Sequence, residues 1–355
     1  MKYLSKYLFS FLLLFSMNVE GQFKGEKCII KSEFIYKSED VNFPSCHAST
    51  ITEIQDGLIA AWFGGTAEKN PDVGIWISRF VNGIWSRPIE VADGVQHKSK
   101  RYPCWNPVLF NTGKEILLFY KVGPSPSAWW GELIISDDNG ITWSRSFRLP
   151  EDIIGPVKNK PVVLKTGELL CPSSTENDGW RVHMEFTSDN GFTWERTPAL
   201  NDKKTGVIQP AILTYPNGNI QMLCRSTSSW ILTSWSKDNG RHWTDLISFG
   251  LPNPNSGIDA VTLKDGRQLL VYNHLSAGRN MLNVAISEDG NNWKAAVLLE
   301  NDQKETEYSY PAVIQAHDEM IHITFTWNRK LIKHVVLDPG KIEARPLVNG
   351  NWPEF

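Results

Sequence analysis

Two arginines, Arg225 and Arg279, stand at corresponding edges of strand-like runs, one following a run and the other preceding one. A guanidinium presents a planar fork of donors that grips a carboxylate with two parallel hydrogen bonds. His47 stands just ahead of the run Ser49–Ile54, and an imidazole titrates close enough to neutrality for proton transfer. Further polar and aromatic residues fall at equivalent points between runs: Arg101, Trp105, Asn106, Trp130, Lys158, Asn159, Lys160, Arg181, Asp259 and His274. The aromatic faces can stack on a ring, and the polar groups can bond hydroxyls. Each also has an ordinary role open to it, in core packing or as solvated surface.

The elements that must position these side chains are announced by a recurring turn. Ser136-Asp137-Asp138-Asn139-Gly140-Ile141-Thr142-Trp143 follows the apolar run Leu133-Ile134-Ile135. Asp138 can accept backbone N–H groups across the turn, Gly140 can take a positive φ, and Trp143 can anchor the turn. The frame recurs at Thr187–Trp194 and Ser236–Trp243, one residue shorter at Ser287–Trp293, and without its aspartate at Ser78–Trp85. Its tryptophans are residues 85, 143, 194, 243 and 293, so the intervals are 58, 51, 49 and 50. A period near 50 with almost no helical pattern marks a fold of repeated β units. Six units of three to four short strands can be read, the last beginning at Tyr310 and short of one strand. The run Cys28–Ser38 has no repeat partner. These features predict an all-β, six-bladed propeller of four-stranded antiparallel blades, with the N-terminal strand completing the last blade. The boundaries are a leader over residues 1–21 and one propeller domain over 22–355.

Composition narrows the class. A net charge of −3 with no basic run excludes nucleic acid as the expected partner. Lys2 and Lys6 precede a mostly apolar stretch, Tyr7–Met17, which reads as a secretory signal and is short for a membrane span. An exported protein, periplasmic or secreted, is expected, and a monomer is the default. Five cysteines at scattered spacings suggest buried thiols rather than a disulfide framework, and no cluster suggests a metal. No cofactor is expected.

The repeated turns resemble the Asp-boxes of the sialidase superfamily, and the chain is similar to its bacterial BNR-repeat, sialidase-like members over roughly residues 28–340. The resemblance implies Asp-boxes on the outer rim and a site at the mouth of the propeller. It implies arginines that hold a substrate carboxylate, a tyrosine nucleophile paired with a glutamate, and an aspartate acid/base. Arg225, after the turn Pro216–Asn219 and the strand ending at Cys224, resembles one family arginine, and Arg279 another. Tyr308-Ser309 resembles the nucleophile's Tyr-Ser, and Asp72-Val73-Gly74 the setting of the acid/base. Two positions depart. His47 stands where the family carries its first arginine, and Gln209 where it carries the glutamate. Gln209 cannot act as a base.

Three functions follow. The first is an exo-glycosidase for a terminal acidic sugar such as sialic acid, with Asp72 protonating the leaving oxygen, Tyr308 attacking, and Arg225 and Arg279 clamping the carboxylate. The second is a lyase on a uronate glycan, with His47 or His274 as base and Tyr308 as acid. The third is a glycan-binding propeller without catalysis.

Overall fold

The computed structural model describes residues 27–303 and 305–354. The leader-like stretch 1–21 lies outside them. Six antiparallel sheets follow one another along the chain, each entered by its innermost strand. The innermost strands are Ser45–Ile54, Cys104–Asn111, Val162–Val163, Val207–Thr214, Asp259–Thr262 and Tyr308–Gln315. The second strand of a blade is covered on both faces by neighbouring blades, and every residue of Ile116–Val122, Lys121 included, is buried. Between blades 5 and 6, for example, Leu282, Val284, Phe325 and Val335 pack into one layer without solvent exposure. Each such side chain contributes about 1.5–3 kcal/mol by leaving water.

The ring closes as expected. Ile29–Phe34 pairs antiparallel with Leu331–Leu337 and supplies the fourth strand of blade 6. Closure leaves the first and last blades without a free edge between them.

The recurrent turns behave as local devices. Asp138 Oδ1 accepts from the backbone N–H groups of Ile141 (3.0 Å) and Thr142 (2.8 Å), and Oδ2 from the Thr142 hydroxyl (2.6 Å). Asp189 repeats this with Phe192 and Thr193. Gly140 has φ 78°, and a Cβ there would lie 2.5 Å from Ile59 Cδ1 on the preceding blade. The copy lacking aspartate, Ser78–Trp85, instead makes a tight hairpin with Asn82 and Gly83 at φ 53° and 80°.

Candidate functional site

The mouth of the propeller is built by a backbone irregularity. In blades 1, 4 and 6 the innermost strand bulges near its start, and Ala48, Gln209 and Tyr310 take φ of 57°, 56° and 51°. A positive φ at a residue with a Cβ is uncommon and is kept where the surroundings over-determine it. A bulge adds one residue and re-aims the side chains that follow. Gln209 and Tyr310 are thereby brought to the same guanidinium.

That guanidinium is Arg225, at the end of Ile220–Ser226 and 6% exposed. Its Nη1 donates to the Tyr310 hydroxyl (2.8 Å) and to Gln209 Oε1 (3.2 Å), and its Nε to Asn255 Oδ1 (2.9 Å). It lies over the Trp180 ring at 5.2 Å. Among the described residues no carboxylate forms an ion pair with it. Arg279 stands opposite, donating from Nη1 to Glu307 Oε1 (3.0 Å) and from Nη2 to the Asn255 carbonyl (3.3 Å). Both guanidiniums approach the Tyr310 ring, at 5.8 and 5.9 Å.

Besides Tyr310 and Asn255, sequence reading missed two further members of this group, Arg329 and Glu307. Arg329, just after Ile321–Trp327 in blade 6, donates from Nε to Glu307 Oε2 (2.7 Å) and pairs with Glu68. Glu307 thus braces two arginines and also accepts from Ser309 (2.6 Å). Burial pushes its carboxyl up, but the Arg329 and Ser309 hydrogen bonds outweigh that and hold it at about 2. Arg279, Glu307 and Arg329 line a cleft of about 570 Å³. The only signal for Arg329 was its place after a blade strand, a place that Arg225 also occupies.

His47 lies between these charges and the core. It is 3% exposed, its Nδ1 is 3.1 Å from the Thr326 hydroxyl, and its ring sits 4.1 Å from that of Tyr310. Burial, then the nearby charge of Arg329, pushes its pKa well below the ordinary value, so the imidazole is neutral at pH 7. Asp72 is exposed in the loop between Gly57–Gly65 and Gly74–Val81. Its slight burial raises its pKa, but the Thr66 hydroxyl and backbone N–H, at 2.5 and 2.7 Å, outweigh this and hold it below the usual range.

The tyrosine assignment needs correction. Tyr308 is 4% exposed and packs in the layer between blades 5 and 6 with Leu282, Phe325 and Trp327. Regular alternation would put residues 308 and 310 on one face. The bulge between Ser309 and Ala312 separates them and sends Tyr310 to the arginines.

Other assignments divide by location. Arg101 pins the Asp72 loop, donating from Nη2 to the Asp72 carbonyl (2.9 Å) and Glu90 (3.2 Å). Trp105 and Asn106 are buried at the head of blade 2, and Trp105 Nε1 donates to the Gly123 carbonyl (2.8 Å). Lys158 is not available to a substrate: it is buried on the axis, with Nζ bonded to Asn159 Oδ1 and the carbonyls of Ile258 and Pro311. Its burial lowers its pKa to about 7. Asp259 is also committed, to Lys160 (2.9 Å) and to the Val313 N–H (2.8 Å). His274 is held away from the mouth by the Tyr272 hydroxyl (2.5 Å) and the Gly350 carbonyl (2.8 Å). The corrections at Lys158, Asp259 and His274 share a cause: a polar group taken out of water is generally held by hydrogen bonds to its neighbours. Arg181 lies outboard, in a cavity between blades 2 and 3. The five cysteines are buried, and no cluster among the described residues could hold a metal.

A closed six-bladed ring with Asp-box turns and arginines around a tyrosine defines a sialidase-like propeller. Residues 56–323 match the family of BNR repeat-like domains, and the chain belongs to that family within the sialidase superfamily. It is 25% identical over 236 residues to a sialidase of Clostridium perfringens, covering 55% of this chain and 60% of that protein. The chain thus spans less than two thirds of that relative. A Hadza microbial sialidase superposes with TM-score 0.75 at 15% identity, over 88% of this chain and 69% of that one. A Dyadobacter fermentans protein of unknown function gives 0.72 at 18%, over 87% and 98%. The intramolecular trans-sialidase of Ruminococcus gnavus gives 0.67 at 13%, over 91% and 100%. At these identities the structures speak for the fold alone. No helix among the described residues is long and apolar enough to cross a membrane.

Proposed function

We propose that the protein is an exo-acting glycosidase that removes a terminal carboxylate-bearing sugar, such as sialic acid, from a glycan. The observation that carries this reading is Arg225: a buried cation with no carboxylate paired to it, facing a tyrosine and flanked by two further arginines. Glu176 acts on Arg225 through its charge without forming an ion pair, and a buried charge lacking a direct partner is costly, so a substrate carboxylate would supply that partner. Arg279 and Arg329 are already braced by Glu307, so their forks are held in place before substrate arrives.

In this reading Tyr310 replaces Tyr308 as the group that meets the anomeric carbon. A neutral phenol is repelled less than a carboxylate by a substrate that is itself anionic. Gln209 cannot take the phenol proton and instead orients Arg225. The neutral base in contact with the Tyr310 ring is His47. Asp72 delivers the proton to the leaving oxygen, its loop steadied by Thr66 and Arg101.

The His47–Tyr310 contact also supports a second reading, in which the pair acts as base and acid in a lyase on a uronate glycan. One experiment separates them. The purified protein is incubated with an aryl sialoside and with uronate glycans, followed by mass spectrometry and near-ultraviolet absorbance. Saturated acidic sugar, lost in Tyr310→Phe, is the expected outcome. An unsaturated product, lost in His47→Ala, would replace the glycosidase by the lyase.

A further inference from the structure

Between blades 2 and 3, on the same face as the mouth, lies a second cavity of about 340 Å³. That is within the roughly 300–1,000 Å³ typical of small-ligand sites. Its walls carry the indoles of Trp129 and Trp130, the guanidiniums of Arg148, Arg181 and Arg196, and the carboxylate of Asp178. We propose that this cavity holds the neutral saccharide on the leaving side of the bond cleaved at the mouth. The proposal rests on the glycosidase reading above.

Four observations support it. The first is direction. A general acid must face the leaving oxygen, so the departing sugar lies on the Asp72 side. Arg101 grips the Asp72 carbonyl, and the adjoining Tyr102 packs edge-on against Trp130 at 5.5 Å, at the wall of the cavity. The second is continuity. Ring centroids run from Tyr310 to His47 (4.1 Å), Phe63 (5.7 Å), Trp105 (6.4 Å) and Trp129 (5.9 Å), so one packed aromatic layer, buried at His47, Phe63 and Trp105, lies beneath the surface between the mouth and the cavity.

The third is unmet bonding capacity. Trp129 Nε1 and Arg181 Nε are buried without a hydrogen-bond partner. Arg148 stacks on Trp130 at 4.7 Å, and among the described residues no carboxylate forms an ion pair with it. The fourth is charge. Glu151, Asp152 and Asp178 offset most of the charge of the three arginines and of Lys203, which pairs with Asp178, so the cavity is polar with only a small net charge. Flat indoles with unspent donors suit a pyranose with hydroxyls. The platform is also rigid: a Cβ on Gly123 would lie 2.5 Å from Trp129 Cα, so backbone packs directly behind the indole.

The test uses free lactose and two substrates that share one acidic sugar, linked either to lactose or to a small aryl alcohol. Saturation-transfer NMR should show lactose contacting the wild-type protein and Tyr310→Phe alike. The signal should fall at least about fivefold in Trp129→Ala and in Arg181→Ala, with Trp129→Phe intermediate. Turnover should split: kcat/KM for the lactoside falls about tenfold in Trp129→Ala, while that for the aryl glycoside changes less than about twofold. Lactose that fails to bind the wild type, binding unaffected by both alanine variants, or equal losses on both substrates would overturn the proposal. Should Tyr310→Phe retain full turnover while lactose binding behaves as stated, the catalytic assignment fails and the saccharide site stands.

Discussion

At the rim of the propeller, Asp138, Asp189, Asp238 and Asp289 do the same thing four times. Each accepts one or two backbone N–H groups two to four residues ahead, within a turn that contains everything it needs. At the mouth, corresponding positions do different things. Tyr310 and Gln209 meet at Arg225, His47 packs against Tyr310, and Lys160 and Asp259 neutralise each other near the axis. The rim is a set of local solutions to a problem every blade shares. The mouth is one assembly to which six blades contribute unequal parts. Repetition therefore marks the scaffold, and departure from repetition marks the candidate site.

The sharpest way to break this contrast is a pair of tyrosine variants. Tyr310→Phe should lower kcat/KM by about a thousandfold or more, because it removes the one hydroxyl held by Arg225. Tyr308→Phe, inside the layer between blades 5 and 6, should leave kcat/KM within about threefold. Steady-state kinetics on one aryl glycoside checks both, and a reversed order would return the nucleophile to Tyr308.

The arginines come next. Arg225→Ala should cost about a hundredfold in kcat/KM for a carboxylate-bearing substrate, since charged hydrogen bonds carry about 1.5–3 kcal/mol. Arg329→Ala should cost about tenfold, because Arg279 remains braced by Glu307. If a substrate lacking the carboxylate suffered the same losses, the arginines would not be reading that group.

A smaller effect concerns pH. The Thr66 bonds outweigh the slight burial of Asp72, so its pKa lies below the ordinary carboxyl value of about 3.9. The acid must be protonated to act, so kcat/KM should decline as pH rises through that titration. Thr66→Val removes the hydroxyl that favours the carboxylate, so the declining limb should move to higher pH. A limb that stays in place would exclude Asp72 as the acid.

The smallest effect is at the rim. Asp138→Ala should lower the melting temperature by about 2–4 °C without changing kcat/KM, as the loss of a capping interaction does. The rim also sets an acid limit. Backbone bonds from Asn292, and for Asp138 the Thr142 hydroxyl, hold Asp289 and Asp138 at about 2. A depressed carboxyl stabilises the fold above its unfolded pKa near 4, and that contribution is lost as pH falls from about 4 to about 2. Thermal melts of Asp138→Ala should accordingly show less dependence on pH across that window than the wild type.

The features legible in the chain are those that nearest neighbours decide. An aspartate bonded to residues two to four places on, a glycine at positive φ and a tryptophan behind it are all contained in eight residues, so the period and the blades could be read directly. The spare run Cys28–Ser38 likewise implied that Ile29–Phe34 would close the ring, because six blades needed one more strand. Arg225, Arg279 and His47 were legible because each flanks a strand at a blade edge.

Which tyrosine faces them could not be read that way. The choice between residues 308 and 310 hangs on a bulge at φ 51°, and strand periodicity carries no sign of a bulge. The folded ring also decides that Arg329 joins the group through Glu307, and that Lys158 and Asp259 are consumed in bonds across the axis. Those partners lie 22, 100 and 54 residues away. Contacts at such separations exist only after the ring has closed, which is why local spacing could place the blades but not assign the polar groups at their centre.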